Sequence, residues 1–496
     1  MKRLLMLIVL VLTGCGEQTP EEILQQLNTT GTGTITDAQA KILNDANLVL
    51  HLKFISITDE EAESLGKLRG LRLSRLTSIT DTQAESLSKV EELDLSGLSS
   101  ITDAQAKVLC DTKSLTLNGL NSITDQQAES LSEVNLLYLE GLTSITNEQV
   151  ESLSKVEDFL NLGGLTSITD EQAESISKVE AILCLEGLTS ITDEQAKSFS
   201  KVEILAISRS CRNQIELYQQ KVVERVNASG SITDDHAETL SYFKGDHLNL
   251  SGLIQISDKQ AKFLSEFQTR RSGSLDLSGL DSITDTQAKI LSLSKAKRQL
   301  ILDGLTSITD KQAESLGRIN KLHLNGLTII SDRQADSLIK VENLELNGLT
   351  SITNHQAKLI GNSRQHDTIE LNNLTTLTDQ QAEHLSKALN LQLNGLTSIT
   401  DKQAELLKKV KTKLFLNGLT TISDEQAESL GYMPWLELNG VTSITSKQAE
   451  MLSHIERLSL NGLTTITDKQ AESLSKVKAL TTPEHLQPLI DKYKKQ

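Results

Sequence analysis

Cysteine is scarce in this chain of 496 residues, which contains only Cys15, Cys110, Cys184 and Cys211. Apart from Cys15 the number is odd, and no two cysteines have the Cys-x-x-Cys spacing, so the sequence predicts neither a disulfide framework nor a structural zinc site. The nine histidines are scattered, and none stands at metal-ligand spacing from another. The chain also lacks a glycine-rich phosphate loop and a cofactor fingerprint. We therefore expect no bound metal and no cofactor.

Aromatic and positively charged residues are also few. Aromatic side chains make up 3% of the chain, with a single tryptophan, which predicts a core of small, repeated aliphatic layers. The 49 Lys and Arg residues are outnumbered by 66 Asp and Glu residues, and the formal net charge is −17. Nucleic acids and anionic lipid surfaces are polyanions that repel such a protein, so we expect no nucleic-acid partner.

Only one stretch of the chain is strongly apolar over many residues, and it lies at the N-terminus. The run Leu4–Leu12 follows basic residues, is too short to span a bilayer, and is typical of a signal peptide over residues 1–14. The following Leu-Thr-Gly-Cys, which ends at Cys15, resembles a bacterial lipobox, in which the signal is removed and the cysteine is lipidated. The alternative is an ordinary secretory signal with an incidental cysteine.

The lipobox resemblance implies a lipoprotein held at a membrane of the bacterial cell envelope by acyl chains, such as palmitate, on Cys15. Gly16 stands where some lipoproteins carry an Asp that keeps them at the inner membrane, so the outer membrane is favoured. The lipid anchor is then the only membrane contact that we expect.

The rest of the chain repeats itself. An Ile-Thr-Asp triplet or a close variant occurs 19 times, and the commonest step between copies is 22 residues. A fixed period of this length is the signature of a solenoid, in which each unit is too small to bury its apolar side alone and is stabilised by stacking on its neighbours. The copies are anchored at Ile35, Ile57, Ile79, Ile101, Ile123, Ile145, Ile168, Ile191, Ile232, Ile256, Ile283, Ile308, Ile330, Ile352, Leu377, Ile399, Ile422, Ile444 and Ile466.

A single unit shows how the pattern predicts local structure. Leu93 and Leu95 alternate with Asp94, which is the period-two pattern of a strand with one buried face. Gly97 then predicts a turn conformation that a Cβ atom would oppose. Thr102 begins a helix, because Thr-x-x-Gln is a capping box in which each side chain satisfies a backbone N–H group of the first turn. Successive strands should lie side by side in one parallel sheet.

The capping box recurs in every unit. Gln occupies its last position in 17 of the 19 copies, and the exceptions are Glu61 and His236. Glu also functions in a capping box, whereas His236 predicts a weaker one. An Asp follows the Thr in most copies, and its negative charge at the positive end of the helix dipole explains this column. Calcium binding by the column is the less favoured interpretation.

The pattern Leu-x-x-Leu-x-Leu-x-x-Leu-x-x-Ile-Thr-Asp resembles the cysteine-containing class of leucine-rich repeats, best known from F-box proteins. That class has Cys or Asn where this chain has Leu98, Leu120 or Leu142, and its repeats are usually longer. The resemblance implies an α/β leucine-rich-repeat solenoid with a parallel sheet on the concave face and short helices on the convex face. It implies no ubiquitin-ligase role, because the sequence shows no separate domain to hold such a partner.

The triplet positions predict the domain organisation. A signal peptide (1–14) is followed by the lipidated Cys with a short tether and a cap helix (15–34), and then by a first repeat block (35–203). Residues 204–231, which lack the triplet, form either a degenerate coil with a longer helix or a hinge or partner site. The second repeat block (232–478) and a C-terminal cap (479–496) complete the chain.

Outward side chains of the strands depart from the repeat in two places, which are candidate binding sites. Aromatic residues beside Arg are enriched among binding hot spots, which favours the second of them. Alternatively, its tryptophan seals an irregular coil junction beside Met433 and Pro434. The Tyr138 patch consists of Leu136, Tyr138, Phe159, Asn161, Ile182 and Cys184, and the Trp435 patch consists of Lys413, Phe415, Trp435, Glu437 and Arg457.

A row of asparagines also follows the strands of the second block. Stacked amides can hydrogen-bond one another, so a structural ladder is the favoured interpretation, and a polar track for a glycan or protein is the alternative. The row contains Asn325, Asn347, Asn372, Asn394, Asn417, Asn439 and Asn461.

Together these features predict a non-enzymatic, lipid-anchored scaffold that uses its strand face to hold a protein or a glycan in the bacterial envelope. The abundant Ser, Thr, Asp and Glu recur at equivalent positions, and no unrepeated cluster points to catalysis. The alternative is a purely structural spacer or a self-associating envelope protein without a specific ligand. The two differ in one respect, because a spacer has no need of Trp435 or Phe415 on a solvent-facing strand.

Overall fold

The computed structural model describes residues 18–30, 34–267, 273–293, 299–363 and 368–494. The predicted signal peptide and Cys15 lie outside these residues. The chain divides into two compact units, residues 1–219 and 220–496. Each unit repeats the same turn of a short strand, a loop and a short helix. The leucine-rich-repeat architecture that the sequence predicted is confirmed.

The strands of each unit pair in parallel, in the order of the sequence. The first unit holds one sheet of eight strands, and the second holds one sheet of five and one of six. The expectation of one continuous sheet is therefore wrong. The strands of the first unit are β1 Val49–His51, β2 Gly70–Arg72, β3 Glu92–Asp94, β4 Ser114–Thr116, β5 Leu136–Tyr138, β6 Phe159–Asn161, β7 Ile182–Leu185 and β8 Leu205–Ile207. Those of the second unit are β9 His247–Asn249, β10 Ser274–Asp276, β11 Gln299–Ile301, β12 Lys321–His323, β13 Asn343–Glu345, β14 Thr368–Glu370, β15 Asn390–Gln392, β16 Lys413–Phe415, β17 Trp435–Glu437, β18 Arg457–Ser459 and β19 Ala479–Thr481.

Helices separate the strands, and most have seven residues. In the first half of the chain they are α1 Pro20–Thr30, α2 Asp37–Asp45, α3 Asp59–Leu65, α4 Asp81–Leu87, α5 Asp103–Leu109, α6 Asp125–Leu131, α7 Asn147–Leu153, α8 Asp170–Ile176, α9 Asp193–Ser200 and α10 Arg209–Ser229. They continue as α11 Asp234–Ser241, α12 Asp258–Glu266, α13 Asp285–Ser292, α14 Asp310–Leu316, α15 Asp332–Leu338, α16 Asn354–Asn362, α17 Asp379–Leu385, α18 Asp401–Leu407, α19 Asp424–Leu430, α20 Ser446–Leu452, α21 Asp468–Leu474 and, after a 3-10 turn at Glu484–Leu486, α22 Gln487–Lys494.

The predicted capping boxes start the helices. At α5 the backbone N–H of Gln105 donates to Thr102 Oγ1 at 3.0 Å, and the backbone N–H of Thr102 donates to Gln105 Oε1 at 3.0 Å. The box is also complete at α3, where Glu61 takes the place of Gln. At α11 the Thr233 hydroxyl oxygen accepts the backbone N–H of His236 at 3.1 Å. A local sequence signal therefore fixes where each helix begins.

The core of each unit is a stack of leucine rows. The middle residue of a strand is usually a buried Leu, and the strand register aligns these residues, so that Leu93 pairs with Leu115 and Leu115 with Leu137. Each of the three is at most 2% exposed. Burying a Leu side chain is worth roughly 1.5–3 kcal/mol, so the rows shared between coils stabilise each coil.

The glycine after each strand has a different role from the predicted one. Among the described glycines only Gly230 has a positive φ, so Gly97 does not adopt a special turn conformation. A Cβ atom at Gly97 would lie 2.5 Å from the carbonyl oxygen of Leu76 and 2.8 Å from that of Ser74. Close approach to the preceding coil therefore requires glycine here.

Residues 204–231, which lack the triplet, contain one strand of the regular pattern and one helix that is longer than the others. Strand β8 pairs with β7, and the 21-residue helix α10 follows it. The division between the two compact units falls inside α10, after Gln219. At the C-terminus β19 pairs with β18 before α22 closes the second unit. In the part of the chain that the structure describes, no helix is both long enough and apolar enough to cross a bilayer.

Candidate functional site

The Trp435 patch lies on three neighbouring strands, β16 to β18. Lys413 pairs with Trp435 and Trp435 with Arg457, so the first residues of the three strands form one outward row. Phe415 pairs with Glu437 in a second outward row. The middle leucines between the two rows are buried. The strand period of two therefore brings all five predicted residues together on one face.

Trp435 has a cation on each side. The Lys413 ammonium nitrogen lies 4.3 Å from the centre of the indole ring, and the Arg457 guanidinium carbon lies 5.0 Å from it. Lys413 and Arg457 belong to the strands on opposite sides of β17, so they flank the ring. The Phe415 ring centre is 6.3 Å from that of Trp435, with the planes tilted by 46°. Cation–π attraction thus holds both charged groups beside a half-buried indole.

The single carboxylate of the patch is already hydrogen-bonded. The side-chain amides of Asn417 and Asn439 each donate to Glu437 Oε2 at 3.3 Å. Within the described residues, neither Lys413 nor Arg457 forms an ion pair. The patch therefore presents positive charge, and its one negative charge is engaged with amides.

The Tyr138 patch differs from its prediction. The rings of Tyr138 and Phe159 lie 4.9 Å apart with their planes tilted by 35°. Asn161 and Cys184, which were expected to face outward, are only 7% and 8% exposed. Asn161 donates to Glu140 Oε1 at 2.7 Å, which draws its amide into the surface. The accessible part of this patch is thus apolar, and consists of the aromatic pair, Leu136 and Ile182, which is 37% exposed.

The asparagine row forms a hydrogen-bonded ladder. Asn394 Oδ1 accepts the backbone N–H of Asn417 at 3.1 Å, and Asn417 Oδ1 accepts that of Asn439 at 2.9 Å. The amide groups donate in turn to neighbouring side chains, including Glu437. Since both ends of these amides are used inside the protein, the structural interpretation of the row is supported.

A second ladder, between the helices, was not predicted. Gln105 Nε2 donates to the carbonyl oxygen of Ile79, one coil earlier, at 2.9 Å, and Gln105 is only 6% exposed. A capping box accepts Glu as readily as Gln, so the predominance of Gln in the sequence indicated that this side chain makes a second contact besides the cap. The same bond is made by Gln83, Gln105, Gln127, Gln149, Gln172, Gln195, Gln260, Gln287, Gln312, Gln334, Gln356, Gln381, Gln403, Gln426, Gln448 and Gln470.

The Asp column also joins neighbouring coils. Thr124 Oγ1 donates to Asp103 Oδ1 of the coil before it at 2.8 Å, and Ser423 Oγ donates to Asp401 Oδ1 at 2.7 Å. The helix dipole is therefore only part of the reason for these acids. Among the described residues, no group of three or more His, Cys, Asp or Glu side chains is arranged to hold a metal ion.

Two of the three thiols of the described residues, Cys110 and Cys184, are unsuited to nucleophilic chemistry. Burial, together with the Glu133 carboxylate 3.6 Å from the sulfur, raises the pKa of Cys110 to about 11. Burial also raises the pKa of Cys184. The thiolate is the reactive form of cysteine, so a raised pKa leaves both groups protonated and weakly reactive at neutral pH.

Short parallel strands, rows of buried leucine and capped helices, repeated coil after coil, define a leucine-rich-repeat fold. No family model matches the sequence, and no curated protein matches it. Among solved structures the chain is similar to an internalin from Listeria monocytogenes, with 15% sequence identity over 84% of this chain and 92% of that one, and a TM-score of 0.27. The class therefore rests on the coils of this chain itself, and the likeness to the F-box subclass stays a prediction.

Proposed function

We propose that the protein is a non-enzymatic scaffold that holds a protein or glycan ligand on the strand face around Trp435. The observation that carries this proposal is the Trp435 patch, where two aromatic and two cationic side chains meet on three neighbouring strands. Aromatic residues and Arg supply most binding energy at hot spots, because large rigid groups lose little conformational freedom on binding. Both kinds of residue are gathered here on one outward surface.

We further propose that the scaffold is tethered to a membrane of the bacterial envelope through lipid on Cys15. The lipobox directly after a short apolar run supports this location. The tether from Gly16 to the start of α1 at Pro20 is short, so the first coil would stand close to the lipid. The proposed ligand is then one that reaches the surface of that membrane.

A second candidate is a structural spacer without a specific ligand, and one observation favours it. Trp435 packs against its own neighbours, Lys413, Arg457 and Phe415, and the adjoining Met433 is only 1% exposed. If these contacts exist to seal a coil junction, the patch is part of the core and no ligand is needed.

One experiment separates the two candidates. The soluble 16–496 fragment serves as bait in an envelope extract, with Trp435→Ala combined with Phe415→Ala as the test variant. The matched control is Phe263→Ala, which removes an aromatic ring on α12, beside Lys259 and outside both candidate patches. We expect the test variant to lose a retained species that the wild type and the control keep, with the melting temperature within a few degrees of wild type. A large fall in its melting temperature would support the spacer.

A further inference from the structure

We infer that the ligand of the Trp435 patch is an acidic polypeptide segment; this inference rests on the proposed function. It depends on a strip of positive charge that begins at the patch and continues along the turn from α18 to β16. We define the Lys strip as Lys408, Lys409, Lys411 and Lys413.

The Lys strip is a local reversal of charge in an acidic chain. Between Leu406 and Ser423 there are four lysines and no Asp or Glu, although the whole chain carries a formal charge of −17. Lys408, Lys409 and Lys411 are exposed, and Lys413 lies against Trp435. Within the described residues, no member of the strip is in an ion pair with a carboxylate. The charge is therefore available to a ligand.

In several other coils the same turn carries an acid. Five coils have Lys-Val-Glu at this place, and the sequence at residues 409–411 is instead Lys-Val-Lys. The acid has a clear partner in the first unit, where Glu91 contacts Lys113 at 3.0 Å and Arg69 at 3.4 Å in the two adjacent coils. These contacts hold the pKa of Glu91 below its usual range, with the Lys113 hydrogen bond as the largest cause.

Neither coil beside Lys411 supplies such an acid. The equivalent positions are Leu389 in the coil before and Pro434 in the coil after. Only one coil further does an acid return, as Glu456, and it is paired with Lys478 at 2.8 Å. Three consecutive coils thus lack an acid at this place, and an acidic ligand can supply carboxylates there.

The geometry around Trp435 favours a polypeptide over a glycan. A sugar ring binds an aromatic side chain by laying its C–H groups on an open ring face. Here the indole is flanked by Lys413 and Arg457, so its faces already hold cations. The ring instead keeps a guanidinium and an ammonium in fixed places, where a guanidinium can take a carboxylate in a bidentate contact. A Glu- or Asp-rich segment supplies such carboxylates at intervals along an extended chain.

The test uses the full-length protein in neutral detergent and defined probes. The first probe is a labelled ten-residue peptide of alternating Glu and Gly, and the second has Gln in place of Glu. Binding is followed by fluorescence anisotropy for the wild type and for Lys408→Gln combined with Lys409→Gln and Lys411→Gln. A matched control variant carries Lys155→Gln, Lys178→Gln and Lys340→Gln, which change the net charge equally but come from coils that keep their Glu.

We expect the Glu peptide to bind the wild type and the Gln peptide not to bind. The Lys-strip variant should weaken binding about tenfold, as three exposed charge contacts allow, and the control variant less than about twofold. Equal weakening in both variants would overturn the inference, because net charge alone would then explain binding. If polygalacturonate displaces the peptide at an equal concentration of carboxylates, the ligand is an anionic glycan and the inference of a polypeptide is wrong.

Two further outcomes have a definite meaning. If the wild type is a dimer and the Lys-strip variant is a monomer, the patch is occupied by a second copy of this chain. The inferred separate partner would then be wrong. If no peptide binds, but the Trp435 and Phe415 variant still loses its retained species from envelope extract, the binding function stands and only the acidic ligand is wrong. If both measurements fail, the patch is not a binding site.

Discussion

Replacing Gln105 by Glu tests whether the buried glutamine column joins the coils. The Glu side chain preserves the capping box, as Glu61 does at α3, but it cannot donate a hydrogen bond when ionised. The carbonyl oxygen of Ile79 would lose its 2.9 Å partner and would face a buried carboxylate. A buried acceptor left without a donor costs about 1–3 kcal/mol, so we expect a loss of about 2 kcal/mol.

The chain supplies its own control in the coil that already carries Glu. Beside Glu61, the Ser64 hydroxyl donates to the carbonyl oxygen of Ile35 at 2.8 Å, which is the bond that Gln makes elsewhere. Gln127, which donates to the carbonyl oxygen of Ile101 at 2.9 Å, has Ser130 at the same spacing, whereas Gln105 has Val108. Gln127→Glu should therefore be rescued by Ser130, and its cost should be a small fraction of that at Gln105.

Local hydrogen exchange is the appropriate assay, because a long repeat array need not unfold in one step. A loss of about 2 kcal/mol corresponds to roughly 30-fold faster exchange of the α5 amides in Gln105→Glu. In Gln127→Glu the α6 amides should exchange within about threefold of wild type. Equal acceleration at the two sites, or none at Gln105, would refute the role assigned to the column.

The pH dependence of the stability of Gln105→Glu provides an independent test. Burial should raise the pKa of the carboxyl introduced at position 105 above the value near 4.3 of an unfolded chain. A group with a raised folded-state pKa contributes stability below the unfolded pKa and loses it as the pH rises through the folded pKa. The difference between Gln105→Glu and wild type should therefore shrink below about pH 4, where the protonated acid can donate to Ile79.

Two further predictions concern the array and its anchor. Deleting residues 309–330, one whole 22-residue step from Ile308 to Ile330, should leave a folded protein. Deleting residues 309–319 sets a strand against a helix and should unfold the neighbouring coils. Equal melting temperatures for the two deletion proteins would contradict a solenoid. Cys15→Ser should remove nearly all of the protein from salt-washed membranes, because acyl chains are its only predicted anchor; a variant that stays with the membranes would show that the lipobox assignment is wrong.

The parts of the fold that depend on neighbours in sequence could be predicted. The period of the triplet gave the coils, and the Thr-x-x-Gln pattern gave the helix starts because a capping box involves residues only three apart. The two outward rows of the Trp435 patch followed from the alternation within strands of three residues. These are local rules, and the structure follows them.

Contacts between coils were harder to predict. The bond from Gln105 to Ile79 joins residues 26 apart, and no local rule distinguishes the amide that makes it from a simple helix cap. The close approach that requires Gly97 and the inward position of Asn161 are also set by the preceding coil. The pairing of the second unit ends between β13 and β14, beside a cleft lined by Leu344, Ile360 and Ile369 among others.

The candidate site, too, could be predicted only in those features that depend on residues close in sequence. The sequence brought the five residues of the Trp435 patch to one face, but it did not show that Lys413 and Arg457 would occupy the sides of the indole ring. That arrangement depends on side-chain conformations across three strands, which a repeat pattern does not encode. It changes the kind of ligand that the patch favours, from a ring that stacks to a chain that carries carboxylates.

The glutamine column also gives the array a direction, because each of its hydrogen bonds places a donor on the later coil and an acceptor on the earlier one. The first coil has no earlier coil to receive its donor, and Gln39 Nε2 donates instead to Gln18 Oε1 at 2.7 Å. Gln18, just before α1, thus takes the place that a carbonyl group of an earlier coil has elsewhere. A polymer of identical, directional units grows by adding ends to ends, so an occupied first donor removes one of the contacts that such growth would need.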